Sequence, residues 1–404
     1  MNKNFIGFVS ISLLNWSDQF FIARRLVLWF QVEHHFLTSQ IRYLGVNSIS
    51  NTYKILILGA SYGSLLGAKL TLAGHTVKLV CLAEEAKIIN EEGAIVRLPV
   101  RGLPEPIELD SRNMPGTLSA DVPGAVNPAD YDLVVLAMQE PQYRATEVHA
   151  LLNAVAAAAV PVMSIMNMPP MPYLRRIPGL DVDALKGSYT DSSVWDNLDP
   201  SLMTLASPDP QAFRPSTDQI NLLQVGLPTN FKVARFESDA HTAILKQLEA
   251  DIDAIRFDTG DGEVELPVKL RVHDSVFVPL AKWSMLLAGN YRCVLKDGIQ
   301  SIKDSVHADI EESRSVYSWV FDLSVSLGAN PEDLVPFEKY ANATLSLLNP
   351  SSAARALANG SINIERLDRL VQSIAASQNM KSDAVDRTVS VVDARLDANR
   401  QKAA

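Results

Sequence analysis

One stretch near the start of the chain limits its fold more than any other. Residues 53–58 (YKILIL) form an apolar run of strand length that stops at Gly59. Residues 64–72 (SLLGAKLTL) carry apolar side chains at helical spacing, Ala73-Gly74-His75 supplies a stop, and residues 76–82 (TVKLVCL) are a second β-rich run. Strand, glycine turn, helix and strand in about 30 residues make a βαβ unit, whose crossover is expected to be right-handed. Two parallel strands joined this way require a sheet covered on both faces.

The pattern repeats downstream. Residues 131–137 (YDLVVLA) read as a buried strand, 146–159 as an alanine-rich helix and 161–166 (PVMSIM) as the next strand. Between Pro99 and Pro128 the many Pro and Gly residues predict short strands and loops. Residues 181–215, dotted with Asp, Ser and Pro, read as an extended loop or insertion. Residues 220–236 suggest one or two strands with a turn at Pro228-Thr229-Asn230, 241–253 an amphipathic helix, and 259–262 a turn. From about Leu266 strand-like runs vanish and helical periodicity dominates, at 268–290, 304–327, 331–347 and 364–378, with a polar helical tail at 381–404. The expected fold class is therefore α/β: a Rossmann-type dinucleotide-binding domain over 52–265, with an insertion near 181–215, followed by an all-helical domain over 266–380. The two meet near residues 262–267.

Bulk properties narrow the function. The net charge of -10 argues against a phosphate-backbone binder, so no nucleic-acid partner is expected. The only two cysteines, Cys81 and Cys293, lie far apart without metal-ligand spacing, which fits a reducing, cytoplasmic compartment and no metal. No apolar run is long enough for a transmembrane helix. Residues 1–51 read as an appendage: 5–14 are reminiscent of a signal-peptide core without a cleavage site, and His34-His35 lacks a third ligand for a metal.

In a dinucleotide fingerprint, glycines allow a tight turn, close approach of backbone to pyrophosphate, and close helix–strand packing, with the helix N-terminus facing the phosphates. Here the turn reads Gly59-Ala60-Ser61-Tyr62-Gly63-Ser64, followed by Leu65-Leu66-Gly67. Ser61 stands where the second glycine is expected, and Gly63 comes one position early. The second strand ends at Val80-Cys81-Leu82, then Ala83-Glu84-Glu85. Neither an acid for ribose hydroxyls nor a base for a 2′-phosphate sits cleanly at its tip, so the choice between NAD and NADP stays open.

These residues resemble the ketopantoate reductase (2-dehydropantoate 2-reductase) family. Ser64-Leu65-Leu66-Gly67-Ala68 and Gly74-His75-Thr76-Val77-Lys78-Leu79-Val80 match its opening, and residues 131–137 match its next strand. Gln142 falls on the family's glutamine, while Gln139 stands where a cofactor-contacting lysine is usual. Asn167 takes the place of the family's asparagine, which bridges cofactor ribose and substrate; locally it could equally be a turn asparagine before Pro169-Pro170. The resemblance implies a C-terminal domain like that of 6-phosphogluconate dehydrogenase, a nicotinamide cofactor (NADP, with NAD as the other form), a role in pantothenate biosynthesis and a homodimer.

It also implies the chemistry. Lys282 and Asn290 match the family's lysine and the second of its two asparagines, with Leu286 where the first belongs. The lysine is the expected general acid for a ketone that receives hydride. Set among Leu280, Ala281, Trp283 and Met285, Lys282 either snorkels to the surface or is functional. Ser351 and Ser352 of Pro350-Ser351-Ser352, with Glu365, match the segment that holds the substrate, although Glu365 could be an exposed charge near a helix start. The expectation is reduction of a small-molecule 2-oxo acid or related ketone. Two rivals stay open: an opine-dehydrogenase-like condensation of an amino acid with a 2-oxo acid, for which His273-Asp274 is the pointer, and a non-catalytic nucleotide-binding scaffold.

Overall fold

The structure is a computed structural model that describes residues 51–216, 218–260 and 262–403. The appendage, the 5–14 stretch and His34-His35 lie outside the described residues. The βαβ unit is present as read: β1 (Lys54–Leu58) pairs in parallel with β2 (Thr76–Val80). Every side chain from Ile55 to Leu58 is buried. Alternation sends Ile55 and Ile57 to one face and Leu56 and Leu58 to the other, each face meeting its own apolar core. At about 1.5–3 kcal/mol per fully buried Leu or Ile, this short strand ties the two cores together.

A small second sheet holds β3 (Ile95–Leu98) and β4 (Ile107–Asp110), while β5 (Thr117–Asp121), β6 (Leu133–Leu136) and β7 (Val162–Ile165) belong to the main sheet. Next come β8 (Met203–Ser207), β9 (Gln211–Phe213), β10 (Leu222–Leu227) and β11 (Phe231–Ala234). A hairpin of β12 (Arg256–Asp258) and β13 (Glu263–Glu265) precedes β14 (Leu270–His273). The main sheet has eight strands in the order β14-β11-β8-β7-β6-β1-β2-β5. From β8 to β5 all neighbours are parallel, and β11 runs antiparallel to β8. Helices Ala60–Leu72 and Asp239–Ala254 cover the Ile55 face. The C-terminal helices share the core of the Leu56 face.

Three sequence expectations are corrected. The region 181–215 is not a plain loop: it contains β8, all five residues of which are buried inside the main sheet. Its polar side chains hid it. Thr204 donates to the Ala234 carbonyl at 2.6 Å, which satisfies a hydroxyl that reads as loop chemistry. Second, 268–290 is not one helix, because Leu270–His273 is a strand paired with β11. The sheet thus continues past the junction read at 262–267. Arg271 of this strand pairs with Asp253 and Glu249 of the helix Asp239–Ala254. Third, the first helix starts at Ala60, four residues earlier than the apolar spacing suggested.

Candidate active site

In an open α/β sheet, ligands bind beyond the carboxyl ends of the strands. Four adjacent parallel strands, β1, β6, β7 and β8, end here at Gly59, Ala137–Glu140, Asn167 and Pro208. Gly59 has φ +107°, and a Cβ there would meet Met138 Cγ at 2.6 Å and the Ala137 carbonyl at 2.8 Å. Only glycine fits. Gly63 serves packing: its Cβ would fall 2.6 Å from Ile57. The helix that opens at Ala60 has no side-chain cap and no acid in its first turn. Its orphan amides suit an anion, so this end of the helix fits a pyrophosphate.

The other turn residues divide. Ser61 is exposed at the mouth. Ser64 is buried and bonds back to the Ala60 carbonyl, which points it away from any phosphate. The Tyr62 hydroxyl donates to the Pro210 carbonyl at 2.6 Å, and the ring packs edge-on against Phe231. Gln139 and Gln142 are exposed and cap each other in the short turn after β6.

Glu365 is buried rather than an exposed helix charge. Its Oε1 accepts from the Glu140 amide at 3.3 Å, and the Asn167 side chain lies against the same carboxyl. Burial raises Glu365 to about 7, with the Glu140 carboxylate adding to the rise, while the Glu140 amide, Asn167 and Lys282 oppose it. Glu140 is itself buried, its carboxylate taken by the Thr190 amide at 2.9 Å and hydroxyl at 2.8 Å. Asn167 Oδ1 is buried without a hydrogen-bond partner among the described residues, an acceptor that awaits a donor.

Lys282 begins a helix and reaches back to the strap after β8. Its Nζ donates to the Pro208 carbonyl at 2.6 Å and lies 3.5 Å from Asp209 Oδ1. Its side chain is 22% exposed, and burial lowers it from the ordinary lysine range. Lys282 and Glu365 each feel the other's charge, so the structure brings Lys282, Asn167 and Glu365 to one region.

The substrate segment is only partly in reach. Ser351 is buried and committed: its hydroxyl donates to the Asn290 carbonyl at 2.7 Å and caps the helix Ser352–Ala358. It fixes Asn290 rather than facing a ligand. Ser352 is exposed, and Asn290 is half-buried at the end of a π turn, Leu286–Asn290. Sequence reasoning missed Asp209, Lys232, Glu140 and Arg214. Arg214 pairs with Glu85 and acts on Cys81, which puts a cation at the tip of β2 where the sequence offered none. No local pattern marks these residues, since their partners come from distant parts of the chain.

His273, the pointer to the opine alternative, stands at the end of β14, and the charges that act on it (Lys232, Glu249, Lys246 and Asp333) do not include Glu365.

Neither a protein-family model nor a curated protein sequence matches the chain. Solved structures do. A D-mandelate dehydrogenase with NADH and anilino(oxo)acetate aligns with TM-score 0.58 at 13% identity, over 86% of this chain and 99% of that one. A 2-dehydropantoate 2-reductase from Methylococcus capsulatus aligns at 0.57 and 13%, over 84% and 96%. A ketopantoate reductase from Ralstonia eutropha JMP134 aligns at 0.56 and 16%, over 86% and 99%. The chain therefore has the fold of the ketopantoate reductases, a parallel-dominated sheet body joined to a helical C-terminal part.

Proposed function

We propose that the chain is a nicotinamide-dependent oxidoreductase that reduces a 2-oxo acid or related ketone, with Lys282 as general acid. One observation carries this reading: the Lys282 ammonium group lies beyond the carboxyl ends of the strands, within electrostatic reach of a buried Glu365 that rests against Asn167. The order of matched motifs and the shared fold support it.

A reduced nicotinamide, when bound, supplies the hydride. The amides of Ala60, Ser61 and Tyr62 would hold its pyrophosphate over Gly59, with Gln139 and Gln142 at the rim and Gly63 seating the helix on β1. Lys282 donates a proton to the ketone oxygen as negative charge develops there, and is left as the neutral amine. The unpartnered Asn167 Oδ1 accepts from a ribose or substrate hydroxyl. Glu365, raised to about 7, holds the hydroxyl end of the substrate, while Asn290 and Ser352 border its other end. Arg214 favours NADPH, because a guanidinium at the tip of β2 suits a 2′-phosphate. A homodimer in a reducing cytoplasm belongs to the same reading.

The test is fluorescence titration with NADPH and NADH, followed by oxidation of the bound cofactor with a panel of 2-oxo acids, with and without an added amino acid. We expect binding, turnover without the amino acid, and loss of turnover with retained binding in Lys282→Ala. Full activity in that variant would remove Lys282 as the acid. Turnover only with the amino acid would favour the opine reaction, and absence of binding to either cofactor would favour the scaffold.

A further inference from the structure

The strap between β8 and β9, Pro208-Asp209-Pro210, is held at every residue. The Pro208 carbonyl accepts from Lys282 at 2.6 Å, and the Pro210 carbonyl accepts from Tyr62 at 2.6 Å. Between them Asp209 presents Oδ1 to Lys282 at 3.5 Å and Oδ2 to Lys232 of β11 at 3.4 Å. The Asp209 side chain is 18% exposed, so solvent screens these pairs only in part. Proline on both sides narrows the backbone choices of the strap. A carboxylate so fixed is placed in advance and does not have to be ordered when substrate arrives.

We propose that Asp209 is the positioning residue of the Lys282 site: its carboxylate, shared between Lys282 and Lys232, holds the Lys282 ammonium group charged and aimed along the cleft. This rests on the reading of Lys282 as the acid. An ammonium group has three donors. With Pro208 and Asp209 taking two, one N–H remains for the oxygen of a ketone. When that proton leaves, the substrate oxygen becomes a hydroxyl, the lysine becomes an amine, and a solvent proton restores it. Asp209 positions the lysine and takes no part in the proton transfer.

The charges around Lys282 agree with this assignment. Burial lowers the lysine, Asp209 opposes that most strongly, Lys232 on β11 adds to the lowering, and Glu365 opposes it weakly. Tyr62, on the first helix, is held well above its ordinary value by burial and by Asp209, and stays neutral.

The test follows the Lys282 side chain by NMR in protein labelled with 13C-lysine, its signal assigned by loss in Lys282→Arg, alongside the pH profile of kcat/KM. Removing the anion in Asp209→Asn should lower the Lys282 midpoint by about one unit or more and move the alkaline limb of the rate down with it. Asp209→Glu should restore most of the shift. Removing the competing cation in Lys232→Met should move the midpoint up. An unmoved or raised midpoint in a folded Asp209→Asn protein would overturn the assignment. If that variant does not fold, an unmoved midpoint in Lys232→Met overturns it instead. The NMR midpoint decides on Asp209 even when no 2-oxo acid is reduced, and that separate result would sink the reading of the reaction alone.

Discussion

Glu365 and Lys69 are both drawn toward neutrality by burial, with opposite consequences. Glu365, at about 7, changes charge inside the cleft in the range where an enzyme of this kind works. Ionised, it repels an anionic substrate. Binding of a 2-oxo acid, measured by calorimetry, should therefore weaken as pH rises through 7, and Glu365→Gln should flatten that dependence. Lys69 faces Pro267 away from the strand ends, its Nζ donating to that carbonyl at 3.1 Å, and burial pushes it down to about 7. Between 7 and the ordinary lysine value the unfolded chain binds more protons than the folded one, so stability from this group rises with pH in that window. Below 7 the full cost of a buried charge is present. Lys69→Met should thus stabilise the protein near pH 7 by about 1–3 kcal/mol in urea unfolding, and by less near pH 10. Lys282, Asn167 and Glu365 could be singled out in the sequence only through the family resemblance, whose landmarks each of them matches. Asp209 was not, because nothing in a Pro-Asp-Pro strap tells which distant lysines it will meet.

The helix that carries Lys282 changes register at Leu286–Asn290, where a π turn interrupts it. The cause is an inserted side chain. Tyr340 donates its hydroxyl to the Met285 carbonyl at 2.9 Å and fills the place where a Gly289 Cβ would stand, 2.1 Å away. Gly289→Ala should cost about 1–3 kcal/mol by denaturant unfolding and lower kcat, since Tyr340 must shift and the turn linking Lys282 to Asn290 with it. Tyr340→Phe in the same chain should give less than the sum of the two losses. The sequence has Gly289 in plain view, yet an α-helical period cannot reveal a π turn set by a tyrosine 51 residues further on. The same limit explains β8 and β14. They are only five and four residues long, and the partners of Thr204 and Arg271 come from elsewhere in the fold.

Across the molecule, the polar tail read at 381–404 is a 21-residue helix, Asp383–Ala403, that buries Val385, Val389, Val392 and Leu396 against the helical half. Arg366, one residue after Glu365, ties it down: it holds the fully buried Asp368 at 2.9 Å and Asp393 of the tail at 2.5 Å. Arg366→Met should leave Asp368 buried and unpaired, cost about 3–5 kcal/mol in thermal or denaturant unfolding, and weaken substrate binding through the displaced Glu365. The two-part architecture was legible because strand and helix periods differ along the chain. Where the parts meet was not, since Lys282, Glu365 and the strap are brought together only by folding. A crystal structure with NADPH and oxamate, a 2-oxo acid mimic that cannot be reduced, tests that meeting most directly. The pyrophosphate is expected on the amides of Ala60–Tyr62, with the Lys282 ammonium group within hydrogen-bond reach of the oxamate oxygen. A dinucleotide bound away from Gly59, or an oxamate that leaves Lys282 untouched, would contradict a single cleft shared by cofactor and acid.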